Sequence, residues 1–190
     1  MKPRFPLKLD IRGLWYPSRM RIAVTGTPGV GKTSACSLVK SMLVLHVNDL
    51  VEKFDVATGY DRKRMTREVD VNKLSKAVSK LEGDMVLEGH FSHMLKPDVV
   101  VVLRCSPAVL EKRLRKKGWG EKKIRENVEA EAVDVVLVEA LENAREVCEI
   151  DTTHMKPRQV AKAIENIISG ERQKYRVGNV DWSEEVLIWF

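Results

Sequence analysis

The run Gly26-Thr27-Pro28-Gly29-Val30-Gly31-Lys32-Thr33 carries the most specific chemistry in this chain, and it fits the pattern G-x-x-x-x-G-K-[ST]. Glycines let a backbone wrap a phosphate with its N–H groups turned inward. A helix that follows such a loop adds free N–H groups and the positive end of its dipole. Lys32 then brings a point charge to the β- and γ-phosphates of a triphosphate, and the Thr33 hydroxyl is a ligand for Mg²⁺. The pattern therefore predicts binding of ATP with Mg²⁺ and phosphoryl-transfer chemistry.

Three further groups belong with that loop. Glu88 ends an apolar run, and an acidic residue at a strand end facing such a loop holds Mg²⁺, often through water. His90 lies two residues on. It is read either as a group that orients a water or a phosphate oxygen, or as a turn histidine bonded to backbone. A metal pair of His90 with His93 is set aside, because no other ligand is near in sequence. Lys112-Arg113-Leu114-Arg115-Lys116-Lys117 leads into Gly118-Trp119-Gly120. Such a run can be a solvated helix end, where cations complement the dipole. Beside a phosphate loop it reads instead as a hinged basic lid, with Lys117 reaching the transferring phosphates.

Alternating strands and helices must position these residues. Strands are expected at Arg21–Thr25, Val44–Val47, Met85–Glu88, Val99–Arg104 and Glu146–Ile150. Helices are expected at Thr33–Met42, Asp49–Phe54, Asp70–Leu81 with Asp70 as N-cap, and Pro107–Lys117, where Ser106 provides an N-cap hydroxyl. A long helix is expected over Glu121–Ala144. Its apolar middle, Val133–Val138, would cross the core. A last helix spans Pro157–Ser169. The polar stretch Asp55–Val69 reads as a mobile insertion. This alternation implies an α/β fold with a parallel sheet covered on both faces and ligands at the carboxyl ends of its strands.

The chain has 190 residues, enough for one well-filled domain. No apolar run is long enough for a membrane span, which needs roughly 18 residues. Cys36, Cys105 and Cys148 lie far apart among apolar neighbours, so reduced buried thiols and a cytoplasmic location are expected. The net charge is +6, but Lys2, Arg4, Lys8, Arg12 and Arg19 against Asp10 place +4 of it in residues 1–19. That leader shows neither helical nor strand periodicity. It reads as a basic extension, disordered or untranslated, and direct RNA contact is left open. A GTPase is a poor third reading, since Asn72-Lys73-Leu74-Ser75 lacks the aspartate that guanine recognition needs and falls in an expected helix.

Together these segments resemble the isoenzyme-6-type adenylate kinases of archaea and eukaryotic nuclei, over Arg21 to Ser169. The loop Gly26 to Thr33 resembles their P-loop. Gly59-Tyr60-Asp61 and Asp70 resemble their monophosphate segment, and Glu88-Gly89-His90 their acidic-x-His motif. Gly118 to Ile124, Asn127 and Glu131 resemble the lid and the helix beyond it. Lys156-Pro157 resembles a late loop that lies against adenine. The fold implied is P-loop, nucleoside-monophosphate-kinase-like, with a central five-stranded parallel sheet. Its kinase domain would cover residues 20–170, with a monophosphate-binding segment near 48–69, a lid near 116–126, and a tail, 171–190, packed on the domain.

The activity implied is transfer of the ATP γ-phosphoryl to AMP, with ATPase side activity and a role in small ribosomal subunit assembly. The partners implied are a small-subunit ribosomal protein and the pre-ribosomal small subunit. The alternative is an ATP-switched assembly factor whose kinase activity is secondary. By the same resemblance Gly29, Val30, Gly31, Lys32, Thr33 and Ser34 hold ATP. Lys117 is the lid residue on the phosphates, Lys156 lies near the base, and Thr33 and Glu88 hold Mg²⁺. The chain departs from the family with Glu88 for a frequent Asp, and with Lys117 for a frequent Arg, which loses the bidentate fork. Glu52 replaces an arginine of some members, which leaves Arg62, Arg64 or Arg67 to grip AMP.

Overall fold

A computed structural model describes residues 7–9, 15–17, 20–61, 66–187 and 189. In chain order the elements begin with two short strands, β1 (Leu7–Leu9) and β2 (Trp15–Pro17), then β3 (Arg21–Thr25), α1 (Lys32–Cys36), β4 (Leu43–His46) and α2 (Val47–Lys53). A hairpin of β5 (Ala57–Asp61) and β6 (Thr66–Val69) precedes α3 (Val71–Ser79), β7 (Met85–Glu88) and β8 (Val99–Arg104). Helices α4 (Pro107–Lys116), α5 (Glu121–Ala132) and α6 (Val135–Asn143), strand β9 (Val147–Asp151), α7 (Pro157–Ile168) and α8 (Ser183–Leu187) complete the described chain.

Strands β4-β7-β3-β8-β9 pair in that order, all parallel, as the five apolar runs predict. Strands β7 and β8 are buried at every position, which is the signature of a sheet covered on both faces. Along β3 the side chains alternate. Ile22 and Val24 join a core with α1, α4, α5 and α7, while Ala23 faces Leu137 and Ala140 of α6. Helices α2 and α3 close the latter side over Met85 and Leu87. The phosphate loop leaves the carboxyl end of β3, the central strand, and so does the candidate site.

Several expectations are corrected. Helix α1 stops at Cys36 rather than Met42. Its last turn tightens through i→i+3 bonds from Leu38 and Val39, and the Lys40 N–H donates to Glu165 of α7 at 3.0 Å. The polar insertion is a β-hairpin with a bulge between Ala57 and Gly59. The Ser106 hydroxyl does not cap α4. It donates to Glu185 Oε2 at 2.8 Å, while Glu185 Oε1 accepts the Ala108 N–H at 2.6 Å, so a carboxylate from the tail caps that helix.

The long helix expected over Glu121–Ala144 is two. Asp134 adopts φ 60°, with its carboxylate bonded to Arg104 Nη2. The apolar stretch after the break does not cross the core: Val133, Val135, Val138 and Leu141 are exposed, at 66%, 38%, 49% and 50%, and Leu137 and Ala140 alone of α6 are buried. In the leader, β1 and β2 pair antiparallel where neither helix nor strand is expected, and the remaining leader residues lie outside the described ones. The tail lies along the sheet edge. Gly178, Asn179 and Val180 donate backbone N–H bonds to buried Glu149 Oε1 at 2.8, 2.7 and 3.0 Å.

Candidate active site

The loop between β3 and α1 is shaped by close backbone approach. At Gly26, φ is +134°, and a Cβ there would lie 2.3 Å from the Leu103 carbonyl oxygen of β8. Any side chain would push the loop off the sheet. Lys32 opens α1 and is buried. Its Nζ donates to the Gly26 and Thr27 carbonyls at 2.6 and 3.1 Å. Burial pulls the ammonium down to about 8, against the opposing pull of Glu88 and Glu131, and Lys117 lowers it further. That interaction ties exposed Lys117, at the end of α4, electrostatically to the loop. Thr33 and Ser34 are exposed on the first turn of α1, beside Gly29, Val30 and Gly31.

Thr33 Oγ1 donates to Glu88 Oε1 at 3.2 Å. Both are hard oxygen donors of the kind Mg²⁺ takes alongside phosphate oxygens, so the pair fits that ion. The other Glu88 oxygen meets His46 Nδ1 at 2.5 Å. His46 ends β4 directly beside Glu88 in the parallel register. Gly89 follows, and a Cβ on it would sit 2.8 Å from Val47 Cβ, so the turn out of β7 is pressed against α2.

His90 packs edge-on against Phe91, with ring centroids 4.8 Å apart. Against the pull of Glu88, partial desolvation, then Lys32, then His93 hold the pKa of this exposed histidine below the ordinary value, which favours the neutral imidazole. His93 points elsewhere. It is buried, with Nδ1 on the Thr25 hydroxyl at 3.0 Å and Nε2 3.3 Å from Glu139 of α6. It is a pillar beneath the loop rather than a second ligand beside His90.

Three supports have no counterpart in the sequence reading of the site. Thr27 donates its hydroxyl to buried Glu131, which also accepts from Arg104 Nε at 2.8 Å and from the Cys105 N–H at 3.1 Å. Thr152 Oγ1 bonds the Val30 carbonyl at 2.8 Å, and Arg113 bridges Val30 to the Thr152 and Thr153 carbonyls. This fixes the segment that leads to Lys156 against the loop. Lys156 itself is the exposed N-cap residue of α7, its N–H held by Gln159 at 2.8 Å.

A cleft of about 820 Å³ opens from Thr27 and Pro28 past His90 and Phe91 to α2 and α5. Its lining includes Asn48 and Glu52 on one side and Trp119, Lys123, Glu126 and Asn127 on the other. Of the arginines expected to grip a monophosphate, Arg62 and Arg64 lie outside the described residues, as does the side chain of Arg67. Among the described residues no helix is long and apolar enough to cross a membrane.

Residues 22–134 match the family model described as an AAA domain. A protein of Archaeoglobus fulgidus is 44% identical over 172 residues, which cover 88% of this chain and 94% of its own. A relative from Natronomonas pharaonis is 45% identical over 170 residues, covering 88% of this chain and 100% of its own, and one from Thermococcus kodakarensis is 46% identical over 168, covering 87% and 94%. All three carry the name "putative adenylate kinase". Among solved structures, shikimate kinase from Acinetobacter baumannii in complex with shikimate aligns with TM-score 0.57 at 13% identity, over 82% of this chain and 96% of its own. TT1252 from Thermus thermophilus aligns with TM-score 0.53 at 15% identity, over 80% and 97%. At these identities the likeness concerns the fold alone, a P-loop kinase fold. The strand–loop–helix built around Lys32, the matched AAA model and the near-full-length relatives agree: the chain belongs to the family of these archaeal adenylate kinase relatives.

Proposed function

We propose that the chain is an isoenzyme-6-type adenylate kinase, which transfers the γ-phosphoryl of ATP to AMP and yields two ADP. The observation that carries this reading is the continuous cleft from the phosphate loop to α5, which gives a second nucleotide a berth against the first. The acceptor is a phosphate oxygen already ionised at neutral pH. No strong general base is required, and positioning with charge neutralisation does most of the catalysis.

Gly29 to Ser34 hold the ATP phosphates with loop and helix N–H groups, Lys32 pairs with the β- and γ-phosphates, Lys117 covers them from the lid, and Lys156 lies by the base. Bound by Thr33 and Glu88, Mg²⁺ supplies Lewis-acid stabilisation of the charge that develops on those phosphates. Without AMP, water enters the cleft and neutral His90 orients it, giving slow ATP hydrolysis. We place this activity in the cytoplasm.

A second reading has support of its own. The exposed apolar face of α6 begins at Asp134, and Asp134 bonds Arg104, which bonds Glu131, which bonds Thr27 of the loop. An ATP-switched assembly factor needs such a link between a docking face and the nucleotide. On this reading a small-subunit ribosomal protein and the pre-ribosomal small subunit are its partners. Comparing turnover with AMP against turnover with that partner separates the two jobs.

Steady-state rates of two variants, with and without AMP, test the kinase reading. Glu88→Gln is expected to depress transfer and hydrolysis by a similar factor. His90→Ala is expected to lower hydrolysis by about 10²-fold, the effect of a lost acid–base or positioning group, with a smaller loss in AMP phosphorylation. Equal losses in His90→Ala would end the division of labour between the two acceptors.

A further inference from the structure

The cations of the lid point in different directions. Arg115 is engaged by Glu111 and Glu121, at 2.9 and 2.6 Å. Lys122 and Arg125 line a separate groove between α4, α5 and Trp189. Lys116 and Lys117 are exposed at the end of α4. Lys123 turns the other way. It shares one face of α5 with Glu126, Asn127 and Ala130, at spacings of three, four and seven residues, and that face lines the cleft. It is half-buried, and its Nζ sits over the Trp119 ring, 4.7 Å from the centroid. Among the described residues that line the cleft it is the one Lys or Arg, while Glu52 and Glu126 line the same space.

A phosphate monoester carries about −1.5 to −2 charge at pH 7. A cation already in place favours entry of such a group into this cleft. An ammonium held over an indole face is in place, because the ring quadrupole attracts it and the half-buried Trp119 ring itself packs against the core. We propose that Lys123 contacts the phosphate of the acceptor, with Trp119 as the residue that positions it, and that this pair selects a phosphorylated acceptor over an uncharged one. The inference rests on the kinase reading and deepens it. It adds an α5 contact to the grip on AMP expected of Arg62, Arg64 or Arg67.

Kinetics of the full chain at saturating ATP, with AMP varied, test the assignment. Lys123→Met is expected to raise KM for AMP about 10–100-fold, the range for a lost charge-assisted hydrogen bond, and to leave KM for ATP nearly unchanged. Lys123→Arg restores KM for AMP, and Trp119→Leu raises it by a smaller factor. Lys122→Met, on the other groove, leaves it unchanged. An unaltered KM for AMP in Lys123→Met, or an equal rise in KM for ATP, overturns the proposal. Calorimetric titration of AMP into wild type and Lys123→Met separates this from failure of the kinase reading. Binding weakened by the substitution in a chain with no AMP turnover upholds the contact and overturns the kinase. Binding untouched by the substitution overturns the contact whatever the turnover.

Discussion

At the scale of single residues, Lys32 sets function and stability in opposition. Its ammonium is buried, and its pKa falls from 10.5 to about 8. Below pH 8 the group is charged in both folded and unfolded chains, and folding bears the full cost of burying it. That cost fades as pH rises from about 8 to 10.5, so this group alone makes the fold more stable in alkali. Phosphate binding needs the charged form, which is lost over the same range. We expect kcat/KM for ATP to fall above about pH 8, while kcat holds to higher pH because a bound triphosphate raises the Lys32 pKa. A pH–rate profile checks this, and parallel decline of both parameters would contradict it. The loop, Glu88 and His90 were legible in the sequence because their spacing is local. Thr27–Glu131, Val30–Thr152 and His46–Glu88 were not, since their partners stand 104, 122 and 42 residues apart and meet only through the register of the sheet.

At the scale of elements, the buried Arg104 links β8, β9 and the α5–α6 break, through Glu131, Asp134 and Glu149. Removing one partner of a buried ion pair leaves the other uncompensated and costs about 3–5 kcal/mol. Glu131→Gln is therefore expected to lower stability by about that amount in a denaturant melt and to weaken ATP binding, because Thr27 loses its charged acceptor. Glu129→Gln, two residues away on the exposed side of the same helix, is expected to stay within about 0.5 kcal/mol of wild type. A Glu131→Gln chain as stable as wild type would remove the network from the account. The same arginine explains what the sequence did not reveal. The sheet strands were readable as apolar runs, because strands buried on both faces need little but apolar β-formers. The division of one expected helix into α5 and α6 was not readable, because the residue that bonds Asp134 at the break, Arg104, comes from β8. The hairpin β5–β6 was hidden in a polar stretch with no period of its own.

At the scale of the whole molecule, the tail is bound by polar contacts that composition does not signal. Three of its N–H groups satisfy buried Glu149, Trp182 lies 5.8 Å from the Arg104 guanidinium, and Glu185 caps α4. Removing residues 171–190 strips these from a buried carboxylate and a helix end, each loss costing about 1–3 kcal/mol. A marked drop in melting temperature is expected, whereas removing residues 1–19 is expected to change neither melting temperature nor rate. A tail-less chain that melts like wild type would show those contacts to be idle. The central claim is phosphoryl transfer from ATP, bound at Lys32, to a nucleoside monophosphate in the adjoining cleft. The direct test is ATP consumption and ADP formation with AMP, CMP, GMP and UMP in turn, for wild type and for Lys32→Ala with its fold checked by circular dichroism. Two ADP per ATP consumed with AMP, lost in Lys32→Ala at unchanged fold, is the predicted result. A Lys32→Ala chain that turns over near the wild-type rate, or a wild-type chain that no monophosphate accelerates, would contradict it.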